Sequence, residues 1–496
     1  MLYLTALLHN KRASKYSRLS LSALFAIFLA SCASMSDYQK PELATTQPYN
    51  DDNAFSFTEV NHDNVKQDVS HNKLLEKQWW ALFKSAELNT IIEQAIAGSP
   101  ELQIAQATMK QAQANFEAEK ASHLPKANLT TGVTRQKFSG ASVGFPDESN
   151  TIFNLYDLSI DLSYNIDLFD KDENITLVAK NSMIHQQLKQ QSTYLTLIAN
   201  VVNQYIQLAA FADELDNRKQ ILQIEQQRLA LLKAEALLGG YPKAALLSQQ
   251  DQVSQAQIAV ATIEKNYVFS QHQLAILMGL TPVNKITSIP SLTQLQLPNN
   301  LPLSLPSQLV NQRVDIQLAQ NMINTRYAQL GIAVANQLPQ ITLSGSYGVL
   351  SQRSSTLFDP ASIIWNAAAG LTQPLFNSGE LALRETAALG ALEESRALYQ
   401  QTVLAAFQQV EDSLSALSYD AKMHAQASDY QQRRKNELAI KEQEQALGMV
   451  SKLAVLSIKQ QHFEANISRI NHSAKQLLST VALFQALGGG WSIAPE

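Results

Sequence analysis

Residues 155–168 read Leu-Tyr-Asp-Leu-Ser-Ile-Asp-Leu-Ser-Tyr-Asn-Ile-Asp-Leu. Tyr156, Leu158, Ile160, Leu162, Tyr164, Ile166 and Leu168 fall on one side of an extended chain. Asp157, Ser159, Asp161, Ser163, Asn165 and Asp167 fall on the other. A period of two held over this length is a β-strand, and it exceeds the roughly 9–11 residues that a tilted membrane-spanning strand requires. Ile341, Leu343, Gly345, Tyr347 and Val349 alternate with Thr342, Ser344, Ser346 and Gly348 in the same way. The four expected strands are 128–137, 155–168, 341–351 and 365–375, with the polar stretches 137–153 and 351–362 as loops between pairs. The pattern alone fits either a strand set in a membrane or a soluble antiparallel sheet with one wet face.

Each pair of strands leads into a very long helix. No proline or glycine occurs between residues 170 and 238, and Val201, Leu208, Leu215, Leu222, Leu229 and Ala236 recur every seven residues, the spacing of a coiled-coil seam. At 1.5 Å rise per residue the run makes a helix of roughly 100 Å. The stretch from Gly379 to Leu447 repeats this, interrupted only by Gly390. Gly239 and Gly240 end the first helix and Gly448 the second, glycine being favoured just past a helix C-terminus. Shorter helices over 243–278 and 452–487 then return.

The chain is therefore written twice. Residues 99–106 match 313–320 at an offset of 214, and Leu124-Pro125 matches Leu338-Pro339 at the same offset. Leu168-Phe169 matches Leu375-Phe376; Gly239, Lys243, Leu247 and Ser248 match Gly448, Lys452, Leu456 and Ser457; Gly279 matches Gly488. The expected organisation is a first repeat over 85–282, a Pro-rich linker over 283–304 where helix cannot continue, a second repeat over 305–490 and a tail over 491–496.

The N-terminus reads as an address. Lys11, Arg12, Lys15 and Arg18 precede an apolar stretch over 19–30, the order of a secretory signal peptide and too short for a helix to span a bilayer. The site Leu29-Ala30-Ser31-Cys32 holds the only cysteine in 496 residues and resembles a bacterial lipobox, whose cysteine is lipidated. Ser34, where inner-membrane lipoproteins typically carry Asp, points to the outer membrane. Residues 1–31 are then a signal peptide and 32–84 a lipid-anchored N-terminal segment. Removing 1–31 takes the net charge from −5 to about −9. With no basic block, nucleic acid is not an expected partner, and one cysteine excludes a disulfide framework.

Four strands per chain cannot close a barrel, and an open sheet in hydrocarbon leaves its edges unsatisfied. If the strands span a membrane, several chains share one barrel. Two chains give eight strands with a filled interior; three give twelve with room for water. Asp157, Asp161 and Asp167 would then line the lumen, with Tyr156 and Tyr164 near the membrane interfaces. A charged fraction of only 16%, below the roughly 25% of soluble proteins, fits a wettable wall with few fixed charges. It fits crowded helix–helix contacts equally well.

At this point the residues carry a resemblance. Tyr38-Gln-Lys-Pro41, Trp79-Trp80-Ala-Leu-Phe83 followed by Leu88, Ile92 and Ala95, Leu338-Pro339, Pro374-Leu375-Phe376 with Gly379, and the terminal Ala486-Leu487-Gly488-Gly489-Gly490-Trp491 occur in order. Together with the duplication they resemble the TolC-like outer-membrane factors, specifically the lipoprotein (NodT or OprM type) efflux channels. The resemblance implies an α+β outer-membrane factor fold, in which a homotrimer builds a 12-stranded barrel on a coiled-coil α-helical barrel. It further implies docking to a periplasmic adaptor (membrane fusion) protein and an inner-membrane pump, usually of the resistance-nodulation-division type. The family's gate lies at the periplasmic helix turns, which makes Gly239, Gly240, Lys243, Glu442, Glu444, Gly448 and Lys452 the candidates. Ala245 and Ala454 stand where acids are common in the family, so an acidic ring of the usual kind is not expected. Lys243 and Lys452 read as surface lysines or as a cationic ring; Glu442 and Glu444 read as ring acids or as partners of Lys441.

Nothing nominates catalysis or a cofactor. The histidines, His185, His272 and His424 among them, show no metal-site spacing. The glycines 488–490 follow a helix instead of joining a strand to one, so they are not a phosphate cradle. The leading expectation is a passive outer-membrane exit duct for small toxic solutes. The alternatives are a duct for secreted polypeptide in a type I system and a non-conducting lipid-anchored coiled-coil spacer.

Overall fold

The computed structural model of the protein describes residues 67–71, 77–138, 151–238, 240, 242–283, 291–303 and 310–489. Cys32, Gly239 and the 491–496 tail lie outside them. In chain order the elements are β1 (Asp68–His71), α1 (Ala86–Gly98), α2 (Pro100–Ser122), β2 (Lys126–Phe138), β3 (Thr151–Ile166), α3 (Lys171–Leu237), α4 (Lys243–Leu277), β4 (Asn300–Leu303), α5 (Val314–Ala335), β5 (Gln340–Ser351), β6 (Ile363–Thr372), α6 (Glu380–Ala446) and α7 (Lys452–Ala486). The order helix, strand, strand, long helix, shorter helix occurs twice. The two long helices have 67 residues each and the two returning helices 35 each.

One antiparallel sheet holds β2, β3, β5 and β6 in that order. Its middle strand β3 ends at Ile166 and not at residue 168, because Asp167 leaves the ladder to meet the first turn of α3. Its edge strand β6 ends at Thr372, paired with Gln340; Pro374 just beyond has no N–H to continue the ladder.

Helix α3 is the spine. Its first part lies between α2 and α5, its later part between α4 and α7, and α6 runs along α5 and then α7. The seven-residue seam has the expected period but turns on the helix. Val201 and Leu208 are fully buried, whereas farther along the buried set is Glu214, Asn217, Ile221, Ile224, Glu225 and Leu232, with Leu215, Leu222 and Leu229 only half-buried. The helix there packs against two partners at once, which displaces the buried stripe from a single heptad line.

The two repeats close in the same way. Gly279 has φ +72°, and a Cβ on it would lie 2.1 Å from the Gly98 carbonyl oxygen; only glycine permits this stacking of α4 on α1. In the second repeat Gly488, at φ +94°, meets Gln312 and Arg313 at the start of α5. Arg313, only 6% exposed, donates to the Ala486 carbonyl at 2.7 Å, to Gln409 at 2.7 Å and to both carboxylate oxygens of Asp315. That fork ties α5, α6 and α7 together.

The Pro-rich joint is more than a linker. Its strand β4 pairs in parallel with β1, and Leu292, Leu295 and Leu301 are buried in the main core. The same core takes Trp79, Trp80 and Phe83 from a short 3-10 turn, with Trp79 edge-on to both Trp80 and Phe83 and tilted against Phe484 of α7. Tyr205 is fully buried and donates its hydroxyl to Glu87 at 2.9 Å; burial, chiefly, pushes its phenol up to about 12.

Candidate functional site

Register places the side chains of the sheet on two unlike faces. Leu129, Ile160, Tyr347 and Trp365 lie in one row across all four strands. With Val133, Tyr156, Leu158, Leu162, Tyr164, Leu343 and Leu371 they make one face apolar. Leu129 is 71% exposed and Trp365 74%, so this face has no cover within the chain. The opposite face carries Asn128, Thr130, Asp157, Ser159, Asp161, Ser163, Asn165, Thr342, Ser344, Ser346 and Asn366. A sheet wetted on one side and greasy on the other in this way suits a membrane barrel wall.

The three sequence-expected aspartates differ in their setting. Asp161 accepts from Thr130 at 2.7 Å across the strands and from Ser159 at 3.3 Å, which fixes its carboxylate against the polar face. Asp157 stands opposite Gly132, where a Cβ would come 2.6 Å from the Asp157 carboxylate oxygen. Asp167 accepts from the backbone N–H groups of Lys171, Asp172 and Glu173 at 2.9, 2.8 and 3.0 Å. Its carboxylate thereby supplies three of the acceptors that a helix N-terminus lacks and sits favourably on the helix dipole. Period alone put Asp167 on the polar face; the structure makes it the cap of α3.

At the far end of the helices are two turns. In the second, Gly448 at φ +76° donates to Gln445 and Met449 donates to Glu444, a Schellman closure, and Ser451 caps α7 through Ala454 N–H at 3.3 Å. In the first, Gly240 N–H reaches the Glu235 carbonyl at 3.2 Å. Lys243 and Lys452 are exposed, and neither takes part in an ion pair among the described residues. Glu444 pairs with Lys441 at 2.6 Å, while Glu442 is exposed. Leu238, 88% exposed, with Leu237, Leu447 and Met449, gives both turns an apolar surface.

Behind the turns lies a charged knot that the sequence did not announce. Glu225 of α3 is 2% exposed. It is held by Arg228 at 3.1 Å and by Gln249 of α4 at 2.5 Å, and Arg228 also donates to Gln460 of α7 at 2.8 Å. Buried charges must be paired, so this knot fixes three helices together just above the turns. Nearby, burial and the ammonium groups of Lys435 and Lys459 hold the His462 imidazole below its usual range, with Glu442 opposing.

No cluster of His, Cys, Asp or Glu among the described residues has the makings of a metal site. The geometry offers surfaces: a two-faced sheet, a helical wall continuous with it, and two turns at the remote end.

Comparison with known proteins agrees with this architecture. A family model described as outer membrane efflux protein matches residues 91–280 and 305–489, which is both repeats. The pyoverdine export outer membrane protein OpmQ of Pseudomonas putida is 29% identical over 423 residues, covering 84% of this chain and 89% of that protein. The probable outer membrane lipoprotein SilC of Salmonella typhimurium is 25% identical over 96% of this chain and 99% of its own. Among solved structures, the Campylobacter jejuni CmeC outer membrane channel superposes with a TM-score of 0.82 at 22% identity, over 92% of this chain and 95% of that one. At that identity the likeness concerns the fold.

Proposed function

The chain belongs to the outer membrane efflux protein family, and from that membership we propose that three copies close into a single passive conduit across the outer membrane. The observation that carries the reading is that the chain has two open and unlike edges at every level. In the sheet, β2 is one edge and β6 the other. Among the helices, α2 and α4 border one side and α6 the other. Exposed apolar side chains follow those borders: Ile104, Leu247, Ile258, Phe269 and Ile276 on the first side, Leu383, Leu404, Tyr419 and Ile440 on the second. An edge of one kind that meets the other kind on the next copy is a heterologous contact, which generates a ring when the rotation closes. Closure also removes the unpaired strand edges that hydrocarbon does not tolerate.

In this assembly Asp157 and Asp161 face the water-filled lumen, while Asp167 caps the helix at the junction. The turns with Gly239, Gly240, Lys243, Gly448 and Lys452 form the periplasmic mouth, where a periplasmic adaptor and an inner-membrane pump of the resistance-nodulation-division type engage. Glu444, being paired with Lys441, serves the second hairpin, and Glu442 is the acid left open to solvent there. Cys32 anchors each chain to lipid. The solutes are small; the relative OpmQ, named for pyoverdine export, supports that class. No step of chemistry is assigned, since transport is driven by the partners.

Protein purified in detergent is expected to run as a trimer and to give discrete ion conductance in planar bilayers. A stable monomer that never conducts would remove the proposal.

A further inference from the structure

On the apolar face of the four strands only two residues carry charge: Arg135 and Lys137, both basic, both on β2. They follow Ala127, Leu129, Thr131 and Val133 on the same face, at the end of the strand farthest from the helices. Val133 pairs with Tyr156, and from Tyr156 to Ile166 the face of β3 is apolar or aromatic at every position. At about 3.4 Å per residue and a tilt near 40°, that length gives a band of about 25 Å, the height of hydrocarbon a barrel wall crosses. Lipid-facing charge is excluded from such a band except near its rims. Arg135 and Lys137 thus sit two and four residues beyond Val133, level with the headgroups of the leaflet remote from the helices.

We propose that Arg135 and Lys137 bind the phosphate groups of anionic lipid in the outer leaflet, one site per chain. The inference rests on the ring reading above, which makes the apolar face the outer one. Both side chains are exposed, and neither joins an ion pair with a described acid. The one described polar contact of Arg135 is Asn154 Oδ1 at a long 3.5 Å, which leaves its forked donors without a carboxylate partner among the described residues. On the β3 positions opposite them stand Asn154 and Ile152, neither acidic. Alternate residues of one strand have Cα atoms about 7 Å apart, so both long basic side chains can reach the same phosphate. A guanidinium takes phosphate in bidentate fashion and the lysine adds a point charge.

The test titrates full-length trimer in detergent with diphosphorylated lipid A and, separately, with lipid A stripped of both phosphates, reading bound lipid by native mass spectrometry. Each basic group near an anionic lipid surface contributes about fivefold in affinity. The phosphorylated form is therefore expected to bind on the order of twentyfold more tightly, and the double variant Arg135→Gln, Lys137→Gln to lose that preference. Lys126→Gln, on the opposite face of the same strand, is expected to keep it. A preference that survives the double variant, or that Lys126→Gln removes equally, overturns the assignment. So does inorganic phosphate competing as tightly as the lipid, which would mark a free-anion site. Oligomeric state and conductance of the same preparation are read alongside. A conducting trimer indifferent to both substitutions sinks this proposal alone, while a monomeric wild type sinks the reading beneath it.

Discussion

Asp167 illustrates how a single side chain can be read correctly by period and still have a different task. Its place in the alternation is right, yet the chain leaves the sheet at Ile166 and the carboxylate turns to three amides of α3. Replacing a capping acid by alanine costs about 1 kcal/mol. Asp167→Ala should lower the denaturant midpoint of the helical signal accordingly, and Asp167→Asn should recover more than half of the loss. An unchanged midpoint for the alanine variant would show that the cap is idle. Asp161 was legible for the opposite reason, since its strand neighbours on both sides keep the ladder going. Glu225 was not legible. A glutamate in a long polar helix looks solvated, and only the packing of α4 and α7 against α3 buries it.

At the scale of elements, period and glycine placement located helices and strands to within a few residues. The long helices were readable because 67 residues without proline admit little else. Strand β4 was missed because Asn300-Leu-Pro-Leu303 is short and contains proline; its pairing with β1 lies some 230 residues away in sequence and leaves no local trace. The α6–α7 hairpin carries a pH signature. His462 has its value lowered from 6.5 by burial and by Lys435 and Lys459. The unfolded chain therefore takes up the proton first, and stability present at neutral pH is lost as the pH falls below about 6.5. Denaturation at pH 7 and pH 5 should show a drop for the wild type that His462→Gln reduces; equal drops in both would dismiss the histidine as its source.

For the whole molecule, the apolar border of α4 is the most direct handle. Ile258 and Phe269, 67% and 57% exposed in the isolated chain, are eleven residues apart and so share a face three turns on. Carboxylates there would be buried without partners in a ring, at a cost of several kcal/mol. Ile258→Glu with Phe269→Glu is expected to give monomers by light scattering with the helical spectrum kept; an intact trimer would mean that this border lies outside the contact. The two borders differ from each other, and this has a further consequence. Neither surface encodes a number. Copy count follows from the angle through which one molecule turns the next, so a shift in strand tilt alters how many join before the circle meets itself. By the same logic, a paralogue with matching flanks and matching angle would be accepted as a substitute member, and a cell making two such proteins would assemble hybrids in proportion to their abundance.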